Sequence, residues 1–426
     1  MRSSSPTNHE NSIGYGHETR TRSRYFLSNE MKVMTAMYTI RRGGAYDRFI
    51  MMLEAFLERN CETHCLSLTP IPITHSYFHN HVMYLPLKTV EGFIAKLAVV
   101  FLFPLWSFWI AWRKKIDLII AFGSLYAFLQ GFSKWILRKP MVTFIRGSSY
   151  FGLTVQNSPK SFLHLNKIVE YLGLLFSDRI ITNNIAARDE ILKSLGKRKN
   201  IDVQILHNNI PPMNIREPED ISKTKEKYGI PENAKVLVTT GILNRGKNIE
   251  TLIECLPKNG VKDIYALIAG DGSREADLKY KDFLQELARK LEVDKRVIFT
   301  GWVGKEELWK IYLASDLFVL PSLNEGMPNA LLEALGFDLP CLGSRIPGII
   351  DILQYDELMF DPLDEQALAD KIRRLFSDFG YLSKMKRLCQ EREKVFLFDW
   401  KEKVYEMVLG HLRSMPGKEI ERSPQI

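Results

Sequence analysis

From Met31 onward the chain alternates between two hydrophobic rhythms. Short continuous apolar runs read as buried strands, and longer stretches with apolar residues three and four apart read as amphipathic helices. The runs MKVMTAMY, HCLSL, IDLIIAFG, KPMVTFIRG and DRIITNN predict strands. IMMLEAFLERN and SFLHLNKIVEYLGLLF predict helices, and TIRRGGAYDRF predicts a loop around Gly43 and Gly44. Strands and helices in alternation imply a mostly parallel sheet with helices on both faces.

HNNIPPMNIREPED, residues 207–220, breaks the rhythm with two adjacent prolines and no apolar period, and predicts an interdomain linker. The alternation then restarts. KVLVTTG, IYALIAGDG, RVIFTG, DLFVLPS and LPCLGS predict strands, and NIETLIECL, FLQELARKL, KEELWKIYLAS, PNALLEALG and DEQALADKIRRLF predict helices. The expected class is α/β, with two Rossmann-like doubly wound domains over 31–206 and 221–395, a C-terminal helix over 396–413 and a flexible tail over 414–426. Open α/β sheets bind ligands beyond the carboxyl ends of their strands. Two such domains on one linker therefore face each other across a cleft.

Composition adds three points. Residues 1–30 are polar and lack an apolar run, so they predict a disordered tail rather than a secretory leader, and Met1 and Met31 both stand as possible starts. The net charge is +8, but residues 31–212 carry 22 basic and 11 acidic groups while the later part is slightly acidic. A basic first half suits either an anionic partner, such as a membrane surface, or a merely solubilising face. Five cysteines in 426 residues make no disulfide framework. Cys61 and Cys65 have a metal-like spacing without a second pair, so reduced thiols and a cytoplasmic setting are expected.

Residues 93–112, FIAKLAVVFLFPLWSFWIAW, are long enough to span a bilayer. Lys96, the central Pro104 and the strand–helix units on both sides argue instead for a helix partly buried in the first domain. Its aromatic face (Phe101, Phe103, Trp106 and Trp109) is either core or a contact with the membrane interface.

The chemistry concentrates in NEGMPNALLEALG, residues 324–336. The strand DLFVLPS ends at the cleft, and Pro328 suits the first position of the next helix. The free N–H groups of Met327, Asn329 and Ala330 would then offer an anion seat. By spacing alone, Glu325 and Glu333 are equally well a turn residue and a solvated helix glutamate. Position favours more. Glu325 would repel a phosphate and so should meet sugar hydroxyls, and Glu333 can hold a pair of vicinal hydroxyls. Arg245 and Lys247 follow a neighbouring strand and can neutralise a diphosphate. Gly270, in AGDGS, gives a tight turn at another strand end. No Asp-x-Asp pair holds a metal beside that diphosphate, so no metal and no cofactor are expected there.

TTGILNRGKNIETLIE, LIAGDGS, the E-x7-E segment PSLNEGMPNALLEAL and FDPLDEQALADKI occur in that order. Together they resemble the nucleotide-sugar-binding domain of the retaining glycosyltransferases of family 4, which have the GT-B fold. The resemblance implies that Glu325 contacts the transferred sugar, that Gly326, Met327 and Pro328 line the pocket with Asn329 beside them, and that Glu333 binds the ribose. Lys247 and Arg245 would hold the diphosphate, and Gly301, Trp302 and Val303 would lie against the base. Gly43 and Gly44 would approach from across the cleft, and DWKEKVYEMVLGHL would cross back onto the first domain. Three positions depart from the family. Ile242 stands where an arginine is usual, Arg146 where a histidine is usual, and Asp338 where a small residue precedes the proline. The implied activity is retaining transfer of a hexose-type sugar from a nucleotide diphosphate sugar to a glycan or lipid-linked acceptor, with no nucleic acid involved. A nucleotide-sugar epimerase and an inactive nucleotide-sugar-binding protein are the alternatives.

Overall fold

The computed structural model describes residues 31–37, 44–84, 93–146, 160–196, 201–213, 221–272 and 275–414. The expected disordered tail 1–30, Gly43 and most of the flexible tail 414–426 lie outside them.

Two parallel sheets organise the chain. The first has seven strands in the order β3-β2-β1-β4-β5-β6-β7. These are β1 Lys32–Ala36, β2 Glu62–Ser67, β3 Phe78–Val82, β4 Leu118–Phe122, β5 Met141–Ile145, β6 Arg179–Thr182 and β7 Asp202–Ile205. Helices α1 Gly44–Leu57, α2 Phe93–Arg113, α3 Ser124–Leu137, α4 Lys160–Phe176 and α5 Ile185–Leu195 connect them. The second sheet has six strands in the order β10-β9-β8-β11-β12-β13. They are β8 Lys235–Thr240, β9 Ile264–Ala269, β10 Val297–Gly301, β11 Leu317–Leu320, β12 Cys341–Ser344 and β13 Met359–Phe360. Around it run α6 Ile221–Lys227, α7 Ile249–Cys255, α8 Glu275–Lys290, α9 Lys305–Leu313, α10 Asn329–Gly336, α11 Pro347–Leu353, α12 Glu365–Ser377 and α13 Phe379–Val395. The last helix, α14, spans Trp400–Ser414.

The central strands are buried on both faces, as parallel sheets require. Edge strands follow another rule. FHNHV in β3 and DVQI in β7 are polar and only partly buried, so no apolar pattern announced them. Helix α1 also begins inside the expected loop, at Gly44. Asp47 in its first turn complements the helix dipole there.

The first residues of the expected linker lie in the interior. Asn208, Asn209 and Ile210 are buried. Ile210 N donates to Phe396 O at 3.0 Å, and Asn209 Nδ2 donates to Phe398 O at 2.9 Å. The outgoing and returning chains therefore cross side by side. The chain then enters α14, which packs on α1. Trp400, Val404 and Val408 join Phe49, Met52 and Phe56 in one core, and Tyr405 meets Phe56 edge-on at 5.5 Å.

Helix α2 is a half-buried helix of the first domain, and among the described residues no helix is long and apolar enough to cross a membrane. Its expected aromatic face divides. Phe103 is buried and Trp106 packs against the core, while Phe101 and Trp109 are exposed together with Leu105 and Trp112.

Trp400 is 1% exposed and joins the end of the chain to the first domain's core. Trp400→Ala should destabilise that domain by about 3–5 kcal/mol, the usual cost of emptying a buried aromatic site. Denaturant unfolding measures this, and an unchanged midpoint would contradict the packing described.

Candidate functional site

The site forms where strand carboxyl ends of both sheets converge. Gly241 directly follows β8, Gly270 directly follows β9, and Gly301 ends β10. Gly270 N donates to Gly301 O at 3.0 Å. Gly270 has φ +142°, and a Cβ there would lie 1.9 Å from the Gly241 carbonyl oxygen. Only glycine lets these strand ends touch, and together they form a smooth floor.

Lys247 and Glu325 meet beside that floor. Lys247 Nζ lies 2.6 Å from Glu325 Oε1, and Ser322 Oγ donates to the same oxygen at 2.9 Å. Both charged groups are largely shielded from water, with side-chain exposures of 20% and 13%. Arg245 is placed elsewhere. Its guanidinium lies over the rings of Tyr280 and Phe283 on α8, 5.8 and 5.5 Å from their centroids. The three-residue turn that carries both residues is fixed by Asn244, whose Oδ1 accepts from Gly246 N at 2.9 Å.

Helix α10 starts one residue later than the sequence suggests. Pro328 is its cap residue, with φ −72° and ψ 118°, and Asn329 is the first helical residue. Among the described residues no side chain caps this end. The first-turn amides are those of Asn329, Ala330 and Leu331, and Met327 lies outside the helix. Gly326 sits against the other domain: a Cβ there would be 2.4 Å from the Arg146 carbonyl oxygen. Its own carbonyl accepts from Asn184 Nδ2 at 2.7 Å.

Glu333 lies deeper, on the inner side of α10. Tyr312 OH donates to its Oε2 at 3.3 Å, and Tyr312 also pairs with Thr240 Oγ1 at 3.0 Å. Burial raises the Glu333 pKa, although the Tyr312 hydrogen bond and the charges of Lys305 and Arg48 oppose that rise. Trp302 is exposed at the rim, and Val303 packs against the core behind it.

The opposite wall comes from the first sheet. Asn329 Nδ2 lies 3.5 Å from Gly44 O, so the start of α1 faces the start of α10. Arg48 donates to Asn209 Oδ1, to Asn209 O at 2.7 Å and to Asn329 Oδ1 at 3.3 Å. Arg146 donates to Asn208 Oδ1 at 2.8 Å. Burial lowers the pKa of Arg48 to about 10, while that of Arg146 falls to about 9 through burial and the neighbouring Arg48 charge. Both stay charged at neutral pH. Asn208 is fully buried and binds Met327 O at 3.0 Å and Asn329 Oδ1 at 2.8 Å.

The structure thus brings together Lys247, Glu325, Gly326, Met327, Pro328, Asn329, Glu333, Gly44 and Arg146, with Gly270 and Gly301 in the floor. It sets Arg245 apart. Arg48, Ser322, Tyr312 and the pairs Asn183–Asn184 and Asn208–Asn209 were not singled out from the sequence. One signal was present: Asn183–Asn184 directly follows β6, in ITNN, and Asn208–Asn209 lies two residues beyond the end of β7, in LHNN.

Residues 220–394 match the family described as Glycosyl transferases group 1. An uncharacterised glycosyltransferase of Methanocaldococcus jannaschii is 25% identical over 319 residues, covering 73% of this chain and 75% of that protein. The Escherichia coli UDP-Gal:alpha-D-GlcNAc-diphosphoundecaprenol alpha-1,3-galactosyltransferase is 32% identical over 175 residues, covering 39% and 43%. The Anabaena protein HepE, solved with UDP and glucose, superposes with a TM-score of 0.71 at 19% identity, covering 90% of this chain and 100% of that one.

The raised pKa of Glu333 has a sign. An acid that titrates higher when folded costs stability once the pH exceeds its unfolded value, near 4.3, and costs nothing below it. Glu333→Gln should therefore raise the thermal midpoint at pH 7–8 and leave it unchanged near pH 3.5. Calorimetry at both values checks this, and a lowered midpoint at pH 7–8 would refute it.

Proposed function

We propose, for this group 1 glycosyltransferase of GT-B type, that it moves a hexose-type sugar from a nucleotide diphosphate sugar to a glycan or lipid-linked acceptor with retention of configuration. One observation carries the reading: the Lys247–Glu325 pair stands beside the uncapped first turn of α10 and the glycine floor. A diphosphate seated on those amides draws Lys247 toward itself, and the helix dipole adds to the attraction. Glu325 is then freed to accept from sugar hydroxyls. Glu333, held by Tyr312, takes the ribose hydroxyls. Arg48 and Arg146 close the seat from the first domain with two further positive charges.

Retention follows from reaction on one face. The acceptor oxygen bonds to the anomeric carbon as the bond to the diphosphate oxygen breaks, and the acceptor proton passes to that departing oxygen. Glu325 already accepts from Lys247 and Ser322, which suits orientation rather than nucleophilic attack. Catalysis then rests on stabilising the leaving diphosphate and on closure of the cleft, with metal-independent action at the diphosphate. The donor class is supported by the UDP named for HepE and by the UDP-Gal named for the Escherichia coli relative. That relative's diphosphoundecaprenol acceptor supports a lipid-linked one.

A peripheral position on the cytoplasmic membrane face completes the proposal. Phe101, Leu105, Trp109 and Trp112 of α2 are exposed, as are Trp135 and Ile136 of α3. Basic residues close both helices: Arg113 ends α2 and Lys114 and Lys115 follow it, and Arg138 and Lys139 follow α3. Tryptophan above basic side chains matches an anionic bilayer interface.

With the nucleotide sugar that most raises the thermal midpoint as donor, Glu325→Ala and Lys247→Ala should each lower transfer by about 10²-fold or more, the scale of one lost preorganised contact. Near-normal turnover in both variants would remove the assignment. In sedimentation with anionic liposomes, the wild type should bind at low salt, and Trp109→Ser/Trp112→Ser/Trp135→Ser should bind far less. Equal binding by the two would reject the membrane contact.

A further inference from the structure

A second cluster lies at the other end of the first sheet. Glu62 opens β2 and His64 follows two residues later, so both side chains leave the same face. In the parallel register, His64 lies opposite His79 and Leu66 opposite His81. The edge strand β3 thereby brings two more imidazoles to that face. Strand amino ends point away from the cleft, so nothing here belongs to the site already described.

The distances are those of a ligand set. His64 Nε2 lies 3.1 Å from Glu62 Oε1, and His79 Nε2 lies 3.5 Å from the same oxygen. Bonds of roughly 2.0–2.1 Å to a tetrahedral zinc ion set neighbouring ligand atoms about 3.3–3.4 Å apart. Two of the three edges already match. The third, between His64 and His79, lies within 4.8 Å and closes by rotation of the His79 ring, whose side chain is 42% exposed. His64 is fully buried, and its Nδ1 lies 2.9 Å from His81 Nε2. An outer hydrogen bond at that nitrogen is what fixes the tautomer of a metal-bound histidine. The charges of Lys32, 2.7 Å from Glu62 Oε2, and of Lys114, which reaches His64 and His81, oppose a dication. They moderate the affinity of a set whose donors, two imidazoles and one carboxylate, suit zinc.

We propose that Glu62, His64 and His79 bind one Zn²⁺ ion, with His81 orienting His64 and water in the fourth position. The ion pins β3, an edge strand with β2 as its one neighbour among the described strands, onto the sheet. It serves stability and not transfer, so the proposal stands apart from the proposed activity.

The test is titration of the chelator-treated full chain with Co²⁺, followed by Zn²⁺. The expected result is one equivalent of Co²⁺ with the visible bands of a tetrahedral nitrogen and oxygen site, displaced by Zn²⁺, and a Zn²⁺-dependent rise in the thermal midpoint. Glu62→Gln and His79→Ala alter partly exposed groups and should keep the metal-free midpoint within a few degrees. Each should weaken Zn²⁺ binding by more than about tenfold and abolish the rise, and His81→Ala should weaken it by roughly 10–100-fold. Absence of stoichiometric binding, a thiolate-to-cobalt absorption band, or equal affinity in wild type, Glu62→Gln and His79→Ala would each overturn the site.

Discussion

Arg48 is buried between the two sheets, and the oxygens that it is seen to bind all belong to asparagines. Amide oxygens satisfy a guanidinium's donors without cancelling its charge. The same side chain lies 5.3 Å from the centroid of the Trp400 ring. One group therefore ties the chain crossing at Asn209, the start of α10 at Asn329 and the returning C-terminal helix. The geometry of the cleft depends on it, because the two halves are held in register by groups that also line the pocket. Any opening of the cleft must break or stretch these bonds.

The two glutamates of the E-x7-E segment show how environment separates like residues. Glu325 is paired with Lys247 at 2.6 Å. Among the described residues the Glu333 carboxylate has the Tyr312 hydroxyl at 3.3 Å as its hydrogen-bond partner, and burial raises its pKa. The first is a held charge at the surface of the seat. The second is a desolvated acceptor, its burial only partly offset by that one hydroxyl. Arg245 shows the reverse case. Next to Lys247 but one residue away in a tight turn, it leaves the seat and stacks on Tyr280 and Phe283.

The ends of the first sheet have separate duties. Carboxyl ends carry the asparagine pairs, Arg146 and the loop into α1. Amino ends carry the histidine cluster and the basic, tryptophan-rich ends of α2 and α3. Parallel strands enforce this division, since every helix must begin at one end of the sheet and finish at the other.

Much of this was legible in the chain. Buried parallel strands need continuous apolar runs, so KVLVTTG, IDLIIAFG and DLFVLPS announced the sheets, and the acids, lysine and glycines at their ends announced the site. Polar edge strands escaped, because FHNHV and DVQI bury too little to need a pattern. Asp338 was legible only as an anomaly. The structure gives it φ +56°, the left-handed turn that favours glycine, and a hydrogen bond from Gln390 at 2.9 Å. Residues 207–220 read only as an interdomain linker, and the burial of Asn208, Asn209 and Ile210 within it left no mark, because prolines and asparagines look the same in a loop and in a buried crossing. By itself, then, the sequence determined the layers, the order of the two sheets and which strand ends gather the candidate residues, since burial and turn formation are local demands. Only the tertiary structure decided that Arg48 and Asn208 join the halves, that Lys247 rather than Arg245 meets Glu325, and that three histidines and Glu62 share one face, because those contacts join residues far apart in the chain.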